Sequence, residues 1–531
     1  MQQYMPEICW HDRKGILSVD FHPLVKDGRY RIATSSMQKE VRIWEFGYVM
    51  PRNEHVVAFL ANMACHNTSI NVVRFAPVAT ENLLASGDSE GRIVIWSLSD
   101  QPPAPTPDDD MPVNKENWVR QRVLNHEEDV SALVWSPDGK MLASVGHDCN
   151  LLVHEVSTGK RTICLRNLRN FPNGITWDPR GKYLITLSKD RKMDILDCVK
   201  GTKLKSIAMA ELPARSIGGL HAEAKPYRLW HDDQLASFQR GLQFSPCGEL
   251  IVCPAAQLEV GTQDVFGVWI FKRTEIDKEK PFALLPTEKA TFVVRMCPVI
   301  FKLVDGEKQN YSGLPYRIIW VALTVSQIYF FDSQHMQAIG YIDNIHYNSL
   351  TDASWSSDGQ QLVVSSLEGY NSFFRLTMSE WGEVLADEQR PPPPPSPQLI
   401  KVRKRKVKTK EEAGGDEERS SETDNALSHA MTQGTPKHET PKTPKTPKAK
   451  RPAIASTPTS TPKLTKFFPR PQEKTAENNE AGAAQPEPQV ITIGDEQTEN
   501  SASTAAKDDD SSVQFIEVRR QRRVELTTIE P

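Results

Sequence analysis

The sequence predicts an all-β fold: a seven-bladed β-propeller over the first three-quarters of the chain, followed by a long disordered C-terminal tail. Three observations predict it. Paired β-type runs recur. They are Arg31-Ile-Ala-Thr-Ser-Ser36 with Val41-Arg-Ile-Trp44, Leu83-Leu-Ala-Ser-Gly87 with Arg92-Ile-Val-Ile-Trp96, and Met141-Leu-Ala-Ser-Val-Gly146 with Leu151-Leu-Val-His154. Tyr183-Leu-Ile-Thr-Leu-Ser188 with Met193-Asp-Ile-Leu196 and Gln361-Leu-Val-Val-Ser-Ser366 with Ser372-Phe-Phe374 complete the set. Turn signals punctuate the runs at Ser136-Pro-Asp-Gly139, Asp178-Pro-Arg-Gly181, Ser245-Pro-Cys-Gly248 and Ser356-Ser-Asp-Gly359. Composition then changes abruptly: all 11 Trp, 11 Tyr and 8 Cys precede residue 389, and the remainder has three aromatics, Phe467, Phe468 and Phe515. A unit copied many times means one supersecondary element stacked into an array. A segment so poor in large apolar groups cannot bury enough surface to fold alone.

Within each unit, Pro suits the early turn position and Gly the later one, so each turn joins two alternating strands. A second hairpin follows, with an acidic residue six positions before the closing aromatic or its replacement. Glu90 precedes Trp96, Asp148 precedes His154, Asp190 precedes Leu196, Glu368 precedes Phe374, and Gln38 takes that place before Trp44. The pattern resembles the WD repeat, in which four strands make one blade. Seven blades are expected, at about 11–50, 60–100, 118–158, 160–200, 203–273, 281–333 and 334–378. The fifth rests on Gly241-Leu-Gln-Phe-Ser245 and Val265-Phe-Gly-Val-Trp-Ile-Phe271. The sixth rests on Thr291-Phe-Val-Val-Arg295, Ile318-Ile-Trp-Val-Ala322 and Ile328-Tyr-Phe-Phe331. The Pro- and Asp-rich run Gln101–Asp110 reads as a loop. Glu7-Ile-Cys-Trp10 is expected to supply the outer strand of the last blade and so close the ring, which removes exposed sheet edges. The division is therefore a propeller over residues 1–388 and a tail over 389–531.

The chemistry points to binding rather than turnover. There is no phosphate-cradling Gly loop and no nucleophile elbow. His126, with Ser144 and Asp148, is placed for a buried hydrogen-bond network inside one blade. His231-Asp232-Asp233 reads as a docking loop or solvated turn, because no further ligands stand at metal-binding spacing. No cofactor, metal or small-molecule substrate is expected. The net charge of −4 is bland. The eight cysteines show no CxxC spacing, which suits a reduced intracellular protein. No apolar run reaches membrane-spanning length, and Met1–Pro6 lacks a secretory apolar region. A soluble cytosolic or nuclear protein with no membrane partner follows.

The tail reads as a string of short motifs. Pro391–Pro395 is an extended, semi-rigid spacer. Lys401, Arg403, Lys404, Arg405, Lys406, Lys408 and Lys410 make a basic run fit for nuclear import or a nucleic-acid patch. Thr435, Thr440, Thr443, Thr446, Thr457 and Thr461 each precede Pro, the pattern that proline-directed kinases require; phosphates there would cancel the local positive charge. Leu464, Phe467 and Phe468 resemble the motif that docks on replication sliding clamps, with Thr461 where that motif usually has Gln. Val490, Ile491 and Ile493, followed by Asp495 and Glu496, resemble a SUMO-interacting motif that adds as a strand to a sheet edge. Arg522, Arg523, Val524, Leu526 and Ile529 resemble the motif by which nuclear WD-repeat histone chaperones bind the anti-silencing-function chaperone, with Thr528 in place of its usual Pro. The physics there is β-augmentation, with arginines meeting an acidic surface.

The globular part resembles the middle, WD-repeat subunits of chromatin assembly factor 1. The resemblance runs over about residues 7–380 and is carried by Asn71-Val-Val-Arg-Phe-Ala-Pro77, Asn114-Lys-Glu-Asn-Trp118, Gly174-Ile-Thr-Trp-Asp-Pro179 and Tyr227-Arg-Leu-Trp-His-Asp-Asp233. Leu314-Pro-Tyr-Arg317, Tyr341-Ile-Asp-Asn-Ile-His-Tyr347 and Asp352-Ala-Ser-Trp-Ser-Ser-Asp-Gly359 extend it. It implies a nuclear, non-enzymatic subunit of a heterotrimer, with a large and a small partner subunit, that deposits H3–H4 histones on replicated or repaired DNA. Two other readings stay open: the WD-repeat subunit of the replication-independent histone-regulator complex, and the substrate receptor of a ubiquitin ligase.

Overall fold

Apolar residues alternate along the strands and set each sheet between two others. In strand Leu83–Asp88, Leu84 joins Ala33, Val73 and Trp96 on one side, whereas Leu83 and Ala85 join Leu133 and Leu142 on the other. Successive side chains of a strand point to opposite faces, so both faces here are core faces. The same division repeats around the molecule, and seven apolar clusters fill the seven seams between neighbouring sheets. Full burial of one Leu, Ile, Val or Phe stabilises by about 1.5–3 kcal/mol. A strand buried on both faces contributes at every position rather than every second one.

The computed structural model describes residues 1–386 (without 50–53, 79–80, 104–111, 167, 218–219 and 305–309), 389, 392, 516–517 and 521–523. Seven antiparallel sheets form the blades. Blade one is Ile16–Lys26, Arg29–Ser36, Glu40–Val49 and Glu54–Ala64; blade two is Ile70–Phe75, Leu83–Asp88, Arg92–Ser99 and Asn117–Asn125. Blade three is Val130–Trp135, Met141–Gly146, Leu151–Glu155 and Arg161–Leu165; blade four is Pro172–Trp177, Tyr183–Ser188, Lys192–Asp197 and Lys203–Ile207. Blade five is Gln243–Phe244, Leu250–Val260, Gln263–Lys272 and Ala283–Thr287; blade six is Val293–Phe301, Arg317–Leu323, Gln327–Asp332 and Ala338–Asp343. Blade seven is Leu350–Trp355, Gln361–Ser366, Asn371–Arg375 and the N-terminal Gln2–Tyr4. The first strand of each blade faces the central channel, next to the first strands of its neighbours. Among the described residues no helix is long and apolar enough to cross a membrane.

The turn signals sit at the first hairpin of their blades. Gly139, Gly181, Gly248 and Gly359 donate their amides to the carbonyls of Ser136, Asp178, Ser245 and Ser356 at 2.8–2.9 Å, and each holds φ between 66° and 75°. A residue with a Cβ is disfavoured in that left-handed region, which is why Gly recurs there.

Three sequence expectations are corrected. First, the sequence units and the sheets are out of step. Glu54–Ala64, which runs on into the range expected for the second blade, pairs with Glu40–Val49 of blade one. Asn117–Asn125, Arg161–Leu165 and Lys203–Ile207 likewise close the blade before their own unit. The chain reverses onto the outer edge of the sheet it has just built before crossing to the channel, so each unit bridges two blades. Second, Glu7–Trp10 forms no strand. The outer strand of blade seven is Gln2–Tyr4, with Tyr4 opposite Phe373 and Gln2 opposite Arg375. Tyr4 stacks on His55 at 3.7 Å and on Phe46 and Phe373 at 5.2 Å, while Trp10 fills the seam 4.9 Å from Trp44. Aromatic burial, not strand pairing, accounts for the apolar signal at Trp10. Third, the fifth sheet begins at Gln243, not near 203. The intervening chain makes two small hairpin pairings, Met209–Leu212 with Lys225–Arg228 and Arg215–Ile217 with Leu220–Ala222.

Candidate docking surfaces

The seam that joins the two ends of the ring is held by a buried polar centre. Asp352, on the inner strand of blade seven, is wholly buried and accepts hydrogen bonds from Arg74 Nη2 (2.8 Å), Arg295 Nη2 (2.6 Å) and Ser18 Oγ (2.8 Å). Asp20 accepts from Ser354 Oγ and the Phe75 amide, both at 2.8 Å. Blades six, seven, one and two are thus tied across the channel. Burial alone would raise the Asp352 carboxyl, but the Arg295 and Arg74 guanidiniums outweigh it and hold the group below the usual carboxylate range. Asp20 goes the other way: burial raises it, against the opposing pull of Arg74.

One mouth of the channel opens into a cavity of about 560 Å³ with a repeated lining. Each inner strand presents an apolar residue at the mouth, and in six of the seven a proline stands two positions on. The pairs are Phe21 and Pro23, Phe75 and Pro77, Trp135 and Pro137, and Trp177 and Pro179. Phe244 and Pro246, then Met296 and Pro298, continue the ring, and Trp355 with Ser357 is the one departure. Trp135 Nε1 donates to the Arg74 carbonyl at 2.9 Å and Trp355 Nε1 to the Arg295 carbonyl at 3.1 Å. Both indoles are thereby fixed against the preceding blade. The signal is visible as Phe-His-Pro, Phe-Ala-Pro, Trp-Ser-Pro, Trp-Asp-Pro, Phe-Ser-Pro and Met-Cys-Pro. Read one at a time these are turns; only the ring brings them together.

Several polar constellations serve the blades themselves. His126 lies 3.0 Å from both Asp148 carboxylate oxygens and 2.8 Å from Ser144 Oγ, the network the sequence suggests. That contact, against burial, carries the Asp148 carboxyl down to about 2. Blade two repeats the device with His66, 2.8 Å from Asp88 and 2.7 Å from Ser86, where Trp96 Nε1 also donates to Ser86. Its acid is Asp88 rather than Glu90, the residue singled out by spacing. In blade seven His346 meets Glu368 at 2.5 Å and Ser372 at 3.0 Å. His231 lies 3.1 Å from Asp232, and its lowered pKa comes from burial. Arg240 donates to the carbonyls of both residues, which pins the His231–Asp233 turn to the inner end of blade five. Among the described residues no group of three or more His, Cys, Asp or Glu is arranged to hold a metal ion.

The outer edges of blades seven and one carry further strands. Gln521–Arg523 pairs antiparallel with Gln2–Tyr4, Arg522 opposite Gln3 and Arg523 opposite Gln2. Ile516–Glu517 pairs antiparallel with Val57 and Val56 of blade one. The backbone at Arg522 and Arg523 is therefore in the extended, edge-pairing form that β-augmentation uses. Val524, Leu526 and Ile529 lie outside the described residues. So do the clamp-like Leu464, Phe467 and Phe468, the SUMO-like Val490, Ile491 and Ile493, the basic run from Lys401 to Lys410 and the six Thr-Pro threonines.

Comparison with known proteins bears on the platform. The profile of the CAF1B/HIR1 beta-propeller domain matches residues 1–381. The CAF1B subunit of chromatin assembly factor 1 from Gallus gallus is 35% identical over 397 residues, covering 72% of this chain and 69% of the relative. Its namesake from Saccharomyces cerevisiae is 26% identical over 419 residues, covering 71% of this chain and 86% of the relative. Protein HIR1 of Eremothecium gossypii is 26% identical over 397 residues, covering 68% of this chain but 45% of the relative. A seven-sheet ring, a family profile spanning all of it and relatives aligned over more than two-thirds of the chain agree: this chain belongs to the CAF1B/HIR1 beta-propeller family of chromatin-assembly WD-repeat proteins.

Proposed function

We propose that this chain is the non-enzymatic WD-repeat subunit of a nuclear histone chaperone complex that deposits H3–H4 on newly replicated or repaired DNA. The observation that carries the proposal is the 35% identity, over 72% of the chain, to a protein named as a subunit of chromatin assembly factor 1. In this reading the propeller docks the large subunit and, with it, the small one. Residues 389–531 act as an arm that binds partners in motion. Arg522, Arg523, Val524, Leu526 and Ile529 take the anti-silencing-function chaperone. Leu464, Phe467 and Phe468 take the sliding clamp, and Val490, Ile491 and Ile493 take SUMO. Lys401–Lys410 directs nuclear import, and phosphates on the six Thr-Pro threonines tune the arm's charge. Several weak motifs on one platform raise the effective concentration of each partner, so histone transfer does not depend on a single tight contact.

The test is affinity purification of the full chain from nuclei with mass spectrometry, beside the double variant Arg522→Ala/Arg523→Ala. The native chain is expected to recover both complex subunits, histones and the chaperone. The variant is expected to lose the chaperone alone. Unchanged chaperone recovery would remove that role from the arginines. Recovery of ligase subunits instead would favour the substrate-receptor reading. The replication-independent histone-regulator reading is the weaker alternative, because the Gallus gallus chromatin assembly factor relative is 35% identical whereas the HIR1 relative is 26% identical.

A further inference from the structure

Among the described residues only two of the seven blades carry a fifth strand, and both of these strands come from the C-terminal end of the chain. Ile516 stands opposite Val57 and Glu517 opposite Val56, on the outer strand of blade one. Gln521, Arg522 and Arg523 stand opposite Tyr4, Gln3 and Gln2, on the outer strand of blade seven. These are the two blades that meet where the ring closes. Tyr4 stacks at 3.7 Å on His55, the neighbour of Val56, so the two receiving strands touch each other across that seam. Each receiving strand would otherwise present an unpaired edge. One short stretch of chain thus covers the edges on both sides of the closing seam.

We propose that Ile516–Glu517 and Gln521–Arg523 form a clasp, by which the propeller stores its own C-terminal segment across the closing seam and withholds Arg522 and Arg523 from partners that read arginine in an extended strand. This rests on the function proposed above, in which these arginines augment a partner's sheet. Two features of the pairing suit storage rather than permanent anchorage. It is short, with five residues paired in runs of two and three. The receiving edges also supply backbone alone: directly opposite Glu517, Arg522 and Arg523 stand Val56, Gln3 and Gln2, none of them charged. Opposite charges across a strand pair add stability, and hydrogen bonds between arginine and carboxylate are roughly twice as strong as neutral ones. A partner whose sheet edge is flanked by carboxylates offers the arginines what Gln2 and Gln3 do not. Storage and capture draw on the same residues, so capture lifts the strand from blade seven. Until then the arm is tied at both ends to one body. It leaves at blade six, where Leu385 donates to the Ile300 carbonyl at 2.8 Å, and it returns at blades one and seven.

The test uses the full chain and trypsin, whose acidic pocket takes arginine. Mass spectrometry follows the initial rate at which cleavage after Arg523 releases residues 524–531. A paired segment is cut only from its open fraction, so the native chain should release them at least about tenfold more slowly than a free peptide copying residues 513–531. The variant Val56→Cys/Glu517→Cys places thiols at directly opposite positions, within the Cα separation of about 4.4–6.8 Å that a disulfide spans. Oxidised, it should slow release by about tenfold more, whereas Val56→Cys and Glu517→Cys alone should behave as the native chain. Native release as fast as that from the free peptide overturns the proposal, as does a double variant that forms no disulfide between the introduced thiols. The purified anti-silencing-function chaperone should bind the free peptide, and should bind the oxidised double variant at least about tenfold more weakly than the native chain. Equal binding to the two chains also overturns the proposal, and makes the partner a further strand on the propeller's sheet. A chaperone that ignores the free peptide, with release still slowed by the disulfide, sinks the reading of the arginines as its ligand and leaves the clasp standing.

Discussion

Two buried side chains illustrate how single residues set this protein's tolerance to acid. His11 lies in the seam between blades seven and one, with Nε2 2.9 Å from Thr34 Oγ1, which also accepts from Trp44 Nε1 at 3.0 Å. Burial, aided by Arg42, lowers its pKa to about 3. Between the ordinary value of about 6.5 and 3, the unfolded chain binds a proton that the folded chain refuses. Stability is therefore full above that upper limit and falls as pH drops, with a slope of about 1.4 kcal/mol per pH unit for one such group. His11→Gln should flatten the acid limb by about that amount, measured as urea-unfolding free energy against pH. An unchanged limb would show that His11 titrates normally. Asp352 acts at lower pH. Its carboxyl is held down by Arg295 and Arg74 against burial, so its stabilisation is present above the unfolded value and disappears as pH falls through the folded one. Asp352→Ala leaves two guanidiniums facing the channel without their shared partner. Loss of one side of a buried pair costs about 3–5 kcal/mol, and the variant should unfold at correspondingly lower urea. The sequence did not announce this centre, because Ser18, Arg74, Arg295 and Asp352 come from four blades and no spacing connects them.

At the level of elements, the closing strand matters more than its three residues suggest. Gln2–Tyr4 covers the edge of Asn371–Arg375, and Tyr4 anchors it through stacking on His55, Phe46 and Phe373. Truncating a buried aromatic costs about 3–5 kcal/mol. Tyr4→Ala should therefore lower the midpoint of thermal unfolding, and deletion of residues 1–4 should add self-association by exposing a strand edge, seen by size-exclusion chromatography. A monomeric deletion with native stability would mean that the ring closes without this strand. The hairpins were readable in advance because a turn is local: Pro, Asp and Gly sit within four residues of one another at 136–139. The closing strand was not, because Gln-Gln-Tyr has no alternation long enough to register, and its partner lies at the other end of the fold. The sheet boundaries were misplaced for the same reason. The outer strand of each blade opens the next sequence repeat, and pairing across that boundary leaves no mark in composition. The polar networks were half legible. Sequence reading brought His126, Ser144 and Asp148 together, but it did not pair His66 with Asp88 or His346 with Glu368.

For the whole molecule, the arm's charge is the variable that the rigid ring cannot adjust. Lys401–Lys410 carries seven basic residues in ten, and five of the six Thr-Pro pairs are followed by Lys. Each phosphate adds about −1.5 to −2 charges at neutral pH, so full modification of the six threonines more than offsets that basic run. Nucleic-acid binding by such a segment rests on release of counterions. The logarithm of affinity then falls with the logarithm of salt at about −0.9 per neutralised phosphate. The unmodified full chain should thus bind a mixed-sequence duplex weakly, with a steep slope of up to about −6 for seven contacts. The chain treated with a proline-directed kinase should bind at least about tenfold more weakly, with a slope close to zero. Replacing all six threonines with Ala should make the chain indifferent to the kinase, which separates phosphorylation of these sites from modification elsewhere. Anisotropy titrations at about 50 and 200 mM salt read both quantities. If kinase treatment leaves the slope unchanged, the duplex is held by the propeller rather than the arm.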